Sequence, residues 1–513
     1  MPAWARPAEF SGFYSEEASP TDKVLVRSVD VSWRQIQPTE NGPLDLNSTA
    51  DAQGLFLDGL KAQLDAPGPY WLRMFSSGVD WAPTWVVDKC HVRPVGTDYD
   101  GQQHLPIWND CVWTELLKTW RRLLVDQGIL ADPDFRFAYV PGAFTWSEFD
   151  YEMVAAAVRK GDLTQSDYVA WFHRMVNDLA ALGGDQRGQL VFTGEDYPWG
   201  PWNDQENLLA ASAVEAGLGI RDGITEEFNF HLNETPAYAA SVQPNGHLAV
   251  DDDAAPHLSP SGAKVVVGTE NECYVDCGYA AHNPRYVVRM SNLKALQLRM
   301  NWVYVVPGQS LMDSEPENWD FVRLSMGQRP QTSPDAWAVL RDGEDTYWRD
   351  APDDPPFDTR PWKGKPFVRN IERWLTQVDA PGAIARRSAV DVHKGDPTKE
   401  NGISYEGLST DVRRGNRDLA FRLDPAFSTG QMAALVKVTF WDRAHGSFDL
   451  TYAEGRTAKV RFHGTRRWKT ATFSVPVTPG GQLPGGTDLR LHKFGPGDAS
   501  FWMVRVIRMQ SPS

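Results

Sequence analysis

The sequence predicts an α/β fold in which a (β/α)8 TIM barrel is followed by an antiparallel β-sandwich. From about residue 10 to 345, short apolar runs alternate with longer segments of helical period, which is typical of β-α-β units in a parallel sheet. Towards the C-terminus, segments of period two are separated by turns rich in Gly and Pro, as in a sandwich. A chain of 513 residues also exceeds the usual limit for one hydrophobic core.

Eight apolar runs are candidate barrel strands, which is the number that a closed barrel needs. They are Phe10–Tyr14, Val24–Trp33, Trp71–Ser76, Arg136–Val140, Gln189–Thr193, Leu218–Gly223, Lys264–Gly268 and Leu298–Val305. The segment Trp113–Val125 carries its leucines on one helical face and is predicted to be an outer helix. An open doubly wound sheet is the main alternative, but no glycine-rich phosphate-binding motif follows any of the runs.

A polar stretch rich in proline separates the two predicted domains. We place the barrel at residues 1–350, a linker or domain seam at 351–366, and the sandwich, an accessory or carbohydrate-binding-like domain, at 367–513. The candidate strands of the sandwich include Ala434–Trp441, Ser447–Tyr452, Lys459–His463, Thr470–Val475 and Phe501–Ile507.

The charge and the N-terminal residues limit the expected partners and location. A formal net charge of -16 argues against nucleic acid, because binding a phosphate backbone requires a cationic surface. The sequence contains no run of about 18 apolar residues, so it predicts no membrane span. Residues 1–7 contain no apolar signal core, so we expect a cytosolic protein or a secreted one whose signal peptide has been removed. The sequence predicts no oligomeric state.

The cysteines and histidines do not form a metal or nucleophile motif. Cys90, Cys111, Cys273 and Cys277 are too few for a disulfide scaffold and lack the spacing of a zinc site. Free thiols are one interpretation, and a bridge that closes the loop between Cys90 and Cys111 would suit an exported protein. Neither His-Glu-x-x-His nor Gly-x-Ser-x-Gly occurs. We therefore expect neither a metal nor a cofactor.

Two glutamates carry the chemical hypothesis. Glu148 follows the fourth run and Glu270 follows the seventh, and chemistry in a parallel barrel takes place at the carboxyl ends of the strands. If both runs belong to one barrel, the two carboxylates meet at one cleft, as breaking a glycosidic bond requires. The alternative is that both are surface acids on loops. Glu272 is a rival to Glu270, although it is expected beyond the strand end.

Aromatic and polar residues near the predicted strand ends are candidate contacts to a sugar. The chain has 21 tryptophans, and a flat indole can pack against the C–H face of a pyranose, although core packing accounts for many of them. The predicted substrate-binding residues are Arg73, Trp33, Trp81, Trp85, Trp146, Glu195, Asp196, Arg221, Asp222, Glu272, Tyr274, Asn301 and Trp302. For Arg73, an ion pair inside the barrel is an equally good interpretation.

Several short motifs are shared with a known group of barrels. The second run continues as Trp33-Arg34-Gln35-Ile36-Gln37-Pro38, and an arginine and a Pro-x-Trp loop, Pro83-Thr84-Trp85, accompany the third. With these motifs the chain resembles clan A glycoside hydrolases, especially the β-galactosidase-like barrels, over about residues 10–345. A related bacterial glycosidase-like family opens with a Gly-Phe strand, similar to Gly12-Phe13, and closes with a segment similar to Pro334-Asp335-Ala336-Trp337.

The resemblance implies roles for particular residues. In that clan the acid/base ends the fourth strand and the nucleophile ends the seventh, which correspond to Glu148 and Glu270, while an eighth-strand tryptophan, here Trp302, forms the floor of the sugar site. Ser147 stands where the clan usually has asparagine. We therefore expect a retaining glycoside hydrolase that acts on an oligo- or polysaccharide by double displacement. The alternatives are a carbohydrate-binding barrel without catalysis and a polysaccharide lyase.

Overall fold

The fold is described from a computed structural model. It describes residues 1–8, 11–15, 26–49, 58–98, 100–149, 151–193, 208–222, 238–252, 266–271, 284–305, 316–341, 368–388, 390–392, 403–405, 407–443 and 445–510. Two hydrophobic cores organise these residues, one in the N-terminal part and one in the C-terminal part.

Eight parallel strands form a nearly closed barrel. They are β1 (Gly12–Ser15), β2 (Arg27–Ser32), β3 (Tyr70–Phe75), β4 (Phe135–Val140), β5 (Leu190–Phe192), β6 (Gly219–Asp222), β7 (Val267–Asn271) and β8 (Trp302–Val305). From β2 to β8 each strand pairs with the next one in the chain, and β8 pairs with β1. A parallel bridge between Tyr14 and Val26 links β1 to the segment before β2. The eight predicted strands are thereby confirmed, with their ends shifted by a few residues.

Aromatic side chains fill the inside of the barrel. The rings of Phe137 and Trp302 lie 4.5 Å apart, and those of Trp71 and Tyr139 lie 4.7 Å apart. Burial in this cluster raises the pKa of the Tyr14 phenol. A glycine is required at position 268, because a Cβ there would overlap the Trp302 ring. The interior is thus a packed core rather than a pore, as in other parallel barrels.

Helices surround this barrel. They are α1 (Trp33–Ile36), α2 (Leu60–Asp65), α3 (Thr84–Cys90), α4 (Asp110–Arg121), α5 (Tyr151–Lys160), α6 (Gln165–Gly183), α7 (Leu208–Glu215), α8 (Pro284–Gln297) and α9 (Pro316–Ser325). The predicted helix Trp113–Val125 corresponds to α4 and a π turn at Arg122–Asp126. Its first turn is capped by Asn109, whose side chain accepts hydrogen bonds from two backbone N–H groups. Within the described ranges, none of the helices is long and apolar enough to cross a membrane.

The two larger sheets of the C-terminal part consist of antiparallel strands. They are β9 (Asp335–Val339), β10 (Ile371–Arg373), β11 (Leu375–Val378), β12 (Arg386–Arg387), β13 (Leu408–Ser409), β14 (Asp418–Leu423), β15 (Met432–Trp441), β16 (Ser447–Tyr452), β17 (Arg456–Arg461), β18 (Trp468–Val477), β19 (Leu489–Phe494) and β20 (Ser500–Arg508). One sheet contains β9, β10, β12, β13, β15, β18 and β20, and the second has the order β11-β14-β19-β16-β17. Both sheets contribute to one hydrophobic core, which is consistent with the predicted β-sandwich.

Strand β9 connects the two cores. Trp337 and Val339 belong to the core of the barrel, while Ala336 and Ala338 belong to the core between the sheets. The strand pairs antiparallel with β10 and β20. Asp335–Trp337, part of the segment that resembles the closing motif of a barrel, therefore lies in a C-terminal sheet. These residues precede residue 350, where we placed the end of the barrel domain. The predicted linker at 351–366 is outside the described residues, and the three-part division stays a prediction.

Buried charges lie where the sheets meet the barrel. The Arg373 guanidinium in β10 donates to the backbone oxygen of Ser325 in α9 at 2.6 Å, and burial lowers its pKa to about 9. Nδ1 of His247 lies 2.8 Å from Oε2 of Glu372. Burial and the charge of Arg341 lower the pKa of Lys294 in α8 to about 7. The two parts therefore pack on each other through a polar and largely dehydrated seam.

Candidate active site

Glu148 lies in the loop that follows β4. Its N–H donates to the backbone oxygen of Thr145 at 2.8 Å, which closes a short 3-10 turn over Thr145–Ser147. Its side chain is 26% exposed, and Oε2 lies 3.4 Å from Nη1 of Arg221. The carboxylate is thus accessible to a ligand and also held beside a buried cation.

Arg221 connects Glu148 with the strand that carries Glu270. Its Cα pairs with Gly268 in β7, and Glu270 lies two residues further along that strand, in register with Tyr304. Strands are about 4.8 Å apart and rise about 3.3 Å per residue, so the Cα atoms of Arg221 and Glu270 are roughly 8 Å apart. Positions 268 and 270 are on the same side of the β7 backbone, because strand positions alternate between faces. The side chain of Glu270 is outside the described part of the chain, so the separation of the two carboxylates stays a prediction.

The backbone before Glu148 is strained. Phe144, Trp146 and Ser147 have φ values of 70°, 50° and 67°, in the left-handed region that residues with a Cβ rarely adopt. Each such residue costs about 1–2 kcal/mol, and the conformation persists only if the surrounding contacts impose it. Strain of this kind is concentrated at functional sites. It therefore supports a functional role for this loop.

Contacts with the barrel and a neighbouring hairpin hold the loop. The Ser147 hydroxyl donates to the backbone oxygen of Met74 at 3.2 Å, and Nε1 of Trp146 donates to Asp100 at 2.8 Å. On the far side of Glu148, the N–H of Phe149 donates to Oγ1 of Thr193 at 3.0 Å. Ser147 is fully buried, so its hydroxyl serves the barrel wall rather than the cleft.

Two of the predicted tryptophans lie close to Glu148. Trp81 and the partly exposed Trp146 pack against Phe75, with ring centroids 4.7 Å and 6.1 Å from it. Trp85 is further from the loop, because it packs edge-on against Trp33 and its indole N–H donates to a backbone oxygen in the segment after β2. Trp81, Trp146 and Phe75 thus form an aromatic cluster that includes a residue two positions before Glu148.

Two other tryptophans are at odds with the predicted sugar contacts, because neither has any exposed surface. Trp302 begins β8 rather than ending it, so its ring lies inside the barrel against Phe137 instead of at the mouth. Trp33 begins α1, packs in the core and donates its indole N–H to the side chain of Gln37. Both indoles are thus packing residues in this structure.

The other predicted polar residues differ in their positions and in how far the structure describes them. Arg73 is 2% exposed and makes a bidentate ion pair with Asp30, with both distances 2.9 Å, which corresponds to the structural interpretation of this arginine. Asn301 precedes β8 and accepts a hydrogen bond from the N–H of Val267, at the amino ends of the strands. Asp222 ends β6, but nothing beyond its backbone is described. Glu195, Asp196, Glu272 and Tyr274 are outside the described residues.

Three polar residues near the Glu148 loop were not predicted from the sequence, namely Ser77, Asp98 and His104. All three side chains are buried and joined by hydrogen bonds. Ser77 follows β3 closely, and a polar residue at the carboxyl end of a strand is the signal that could have identified it. Asp98 and His104 lie in or next to a two-stranded hairpin of Gly96–Thr97 with Gln103–His104, whose sequence has no motif.

Comparison with known proteins adds little. No family model and no curated protein matches the chain. Similar structures include the C-terminal CBM6 of LamC, a marine laminarinase from Zobellia galactanivorans, with 12% identity, 26% of this chain and 99% of that chain covered, and a TM-score of 0.16. The cycloalternan-forming enzyme from Listeria monocytogenes has 15% identity, with 24% of this chain and 11% of that chain covered, and a TM-score of 0.16. The glycoside hydrolase domain Spr0440, Endo-D from Streptococcus pneumoniae R6, has 8% identity, with 99% of this chain and 78% of that chain covered, and a TM-score of 0.18. Glycoside hydrolases and carbohydrate-binding modules thus occur among the similar structures, but TM-scores this low support no conclusion about this chain.

Proposed function

We propose that this chain is a retaining glycoside hydrolase that cleaves a glycosidic bond in an oligo- or polysaccharide, and that its barrel is a (β/α)8 barrel of the clan A type. One observation carries the proposal. The partly exposed carboxylate of Glu148 contacts Arg221, whose strand is the direct neighbour of the strand that contains Glu270. This adjacency supports a shared cleft for the two acidic residues.

The reaction would proceed in two displacements. Glu270 attacks the anomeric carbon and forms a glycosyl ester, while Glu148 gives its proton to the departing oxygen. Glu148 then takes a proton from water, which attacks the same carbon and releases Glu270. A retaining pair requires carboxyl groups about 5–5.5 Å apart, whereas an inverting pair stands about 6.5–9.5 Å apart.

The neighbours of Glu148 support this role through position. Arg221 is 8% exposed and presents Nη1 to Oε2 of Glu148, so it can orient the carboxylate without being displaced by solvent. Trp146, two residues before Glu148, is partly exposed and is anchored through its indole N–H by Asp100, so the loop offers an aromatic face to a ligand. Such a face can stack on a sugar ring in the cleft.

Substitution of the two glutamates tests the proposal. With a panel of aryl glycosides and polysaccharides as substrates, we expect Glu148→Gln to lower kcat by about 10²–10⁴-fold, the usual contribution of general acid–base catalysis. Glu270→Ala is expected to abolish turnover. Glu40→Gln, which changes an exposed glutamate paired with Lys89, is the control and is expected to leave kcat unchanged.

Two further measurements refine the assignment. The first sugar product, followed by NMR, should keep the anomeric configuration of the substrate. Glu272→Ala tests the rival nucleophile in the same assay. Near-normal turnover in either Glu148→Gln or Glu270→Ala would remove that residue from its role, and inversion at the anomeric carbon would exclude double displacement.

One observation favours a second candidate, a barrel that binds carbohydrate without cleaving it. The side chain of Ser147, which stands where clan A enzymes usually carry asparagine, is buried and bonded to Met74. This position therefore offers no hydrogen bond to a sugar hydroxyl. Binding on a glycan array together with no hydrolysis of any substrate in the panel would favour the binding protein.

A further inference from the structure

A buried chain of hydrogen bonds reaches the loop of Glu148 from outside the candidate site. Oγ of Ser77 lies 2.9 Å from Nδ1 of His104, and Nε2 of the same ring lies 2.8 Å from Oδ2 of Asp98. The N–H of Phe144 donates to Oγ of Ser77 at 2.6 Å. Ser77 is 1% exposed and His104 has no exposed surface, so water does not compete for these bonds.

With a neutral His104 ring, the donors and acceptors of this chain run in one direction. A serine hydroxyl has one hydrogen and two lone pairs. Because Oγ of Ser77 accepts from Phe144, its hydrogen is available for Nδ1 of His104, and Nε2–H of a neutral His104 ring then donates to Asp98. The carboxylate of Asp98 thus sets the tautomer of His104, which in turn orients the serine hydroxyl.

The same order of Ser, His and Asp occurs in hydrolases whose serine is a nucleophile. That role does not fit Ser77, because its oxygen is buried and already accepts a backbone hydrogen bond. The network therefore serves the loop that it touches rather than a second reaction.

Two segments from elsewhere in the chain converge on this loop. Ser77 follows β3, Asp98 and His104 belong to the hairpin segment 96–104, and Phe144 opens the strained turn that ends at Glu148. The hairpin segment also reaches the turn directly, since Oγ1 of Thr145 lies 3.4 Å from Asp98. The left-handed backbone before Glu148 needs such contacts, because without them it would relax to an ordinary conformation.

We propose that Ser77, His104 and Asp98 are positioning residues that hold Glu148 at its contact with Arg221. This inference rests on the proposed function, in which Glu148 is the acid/base. The chain acts through the Phe144 amide, four residues before Glu148, so its loss moves the carboxylate without removing any group that touches the substrate. A displacement of about 1 Å at a reacting group can cost about 10²-fold in rate.

The test compares Ser77→Ala with Thr119→Val. Thr119 is fully buried in the same barrel, and its hydroxyl donates to the side chain of Gln37 at 2.6 Å, away from the Glu148 loop. Both variants lose one buried hydroxyl and should lower the melting temperature by similar amounts. The readouts are kcat, KM and hydrogen exchange of the backbone amides at residues 141–149, followed by mass spectrometry.

We expect Ser77→Ala to lower kcat by about 10–100-fold with KM changed less than about twofold, and to increase exchange at residues 141–149. Thr119→Val should change neither. Asp98→Asn, which keeps the shape of the side chain, replaces Ser77→Ala if that variant does not fold, and should move both readouts in the same direction by a smaller factor.

The outcomes separate this inference from the proposed function. The positioning role is wrong if the amides at residues 141–149 exchange hydrogen at the same rate in Ser77→Ala as in Thr119→Val. It is also wrong if these amides exchange faster in Ser77→Ala while kcat stays normal. If the wild-type protein hydrolyses no glycoside, the proposed function fails, and exchange at residues 141–149 alone decides whether the network holds the loop.

Discussion

Removal of the disulfide between Cys90 and Cys111 is expected to lower the free energy of unfolding by about 3 kcal/mol. The structure forms this bridge, with a sequence separation of 21 residues between the two cysteines. A loop of this length loses about 11 cal/mol/K of chain entropy in the unfolded state when it is closed, which corresponds to about 3.3 kcal/mol at 25 °C. The bridge ties the end of α3 to the start of α4, and the loop between them carries the hairpin with Asp98 and His104.

The assay is urea unfolding followed by tryptophan fluorescence. The double variant Cys90→Ser/Cys111→Ser should unfold at a lower urea concentration than the wild type, with a slope at least as steep, because the unfolded chain without the bridge is more expanded. A reductant should shift the wild type to the same midpoint and leave the double variant where it is. This second comparison excludes effects of Cys273 and Cys277, which are present in both proteins. A difference below about 1 kcal/mol, or an equal effect of reductant on both proteins, would refute the entropic reasoning.

Two further substitutions test the packing of the barrel and of the seam. Gly268→Ala pushes a Cβ into the ring of Trp302 and is expected to destabilise the protein by about 1–3 kcal/mol. The double variant Gly268→Ala/Trp302→Leu should recover part of this stability. An unchanged melting temperature in Gly268→Ala would contradict the packing inside the barrel. The pKa of Lys294 is lowered from 10.5 to about 7, so its charge costs folding free energy in full below about pH 7, and this cost declines as the pH rises towards 10.5. Lys294→Met should therefore stabilise the protein by about 3 kcal/mol more at pH 6 than at pH 9 in urea unfolding, and equal effects at both pH values would show that the pKa is not lowered.

The order of the barrel strands could be predicted because strands buried on both faces read as continuous apolar runs. The residues of β9 were not among the eight predicted strands, and they fell within the predicted barrel domain because they resemble a closing motif and precede the proline-rich stretch. In this strand, Ala336 and Ala338 face the core between the sheets, while Trp337 and Val339 face the barrel, so the segment is apolar on both sides. A local pattern cannot distinguish a strand shared by two cores from a strand of a parallel barrel.

The predicted site was less complete than the predicted fold. Glu148 was selected as a candidate because it follows the carboxyl end of β4, where active sites of parallel barrels lie. Trp302 was expected at the mouth because strand ends are uncertain by a few residues, and a shift of three residues moves a side chain about 10 Å along the barrel axis. The same uncertainty affected Asn301, which lies at the opposite end of the strand.

Local periodicity and chain order were enough to identify eight parallel strands, their sequence in the barrel and the acidic residue after the fourth strand. The contact of Arg221 with Glu148, the ion pair of Arg73 and the network that joins Ser77 to Asp98 required the tertiary structure. Apart from the contact of His104 with Asp98, which are six positions apart, these contacts join residues 27 to 73 positions apart, from Ser77 with His104 to Arg221 with Glu148. Whether they form depends on distances of a few tenths of an ångström, which strand register and loop conformation set together and which no run of neighbouring residues encodes.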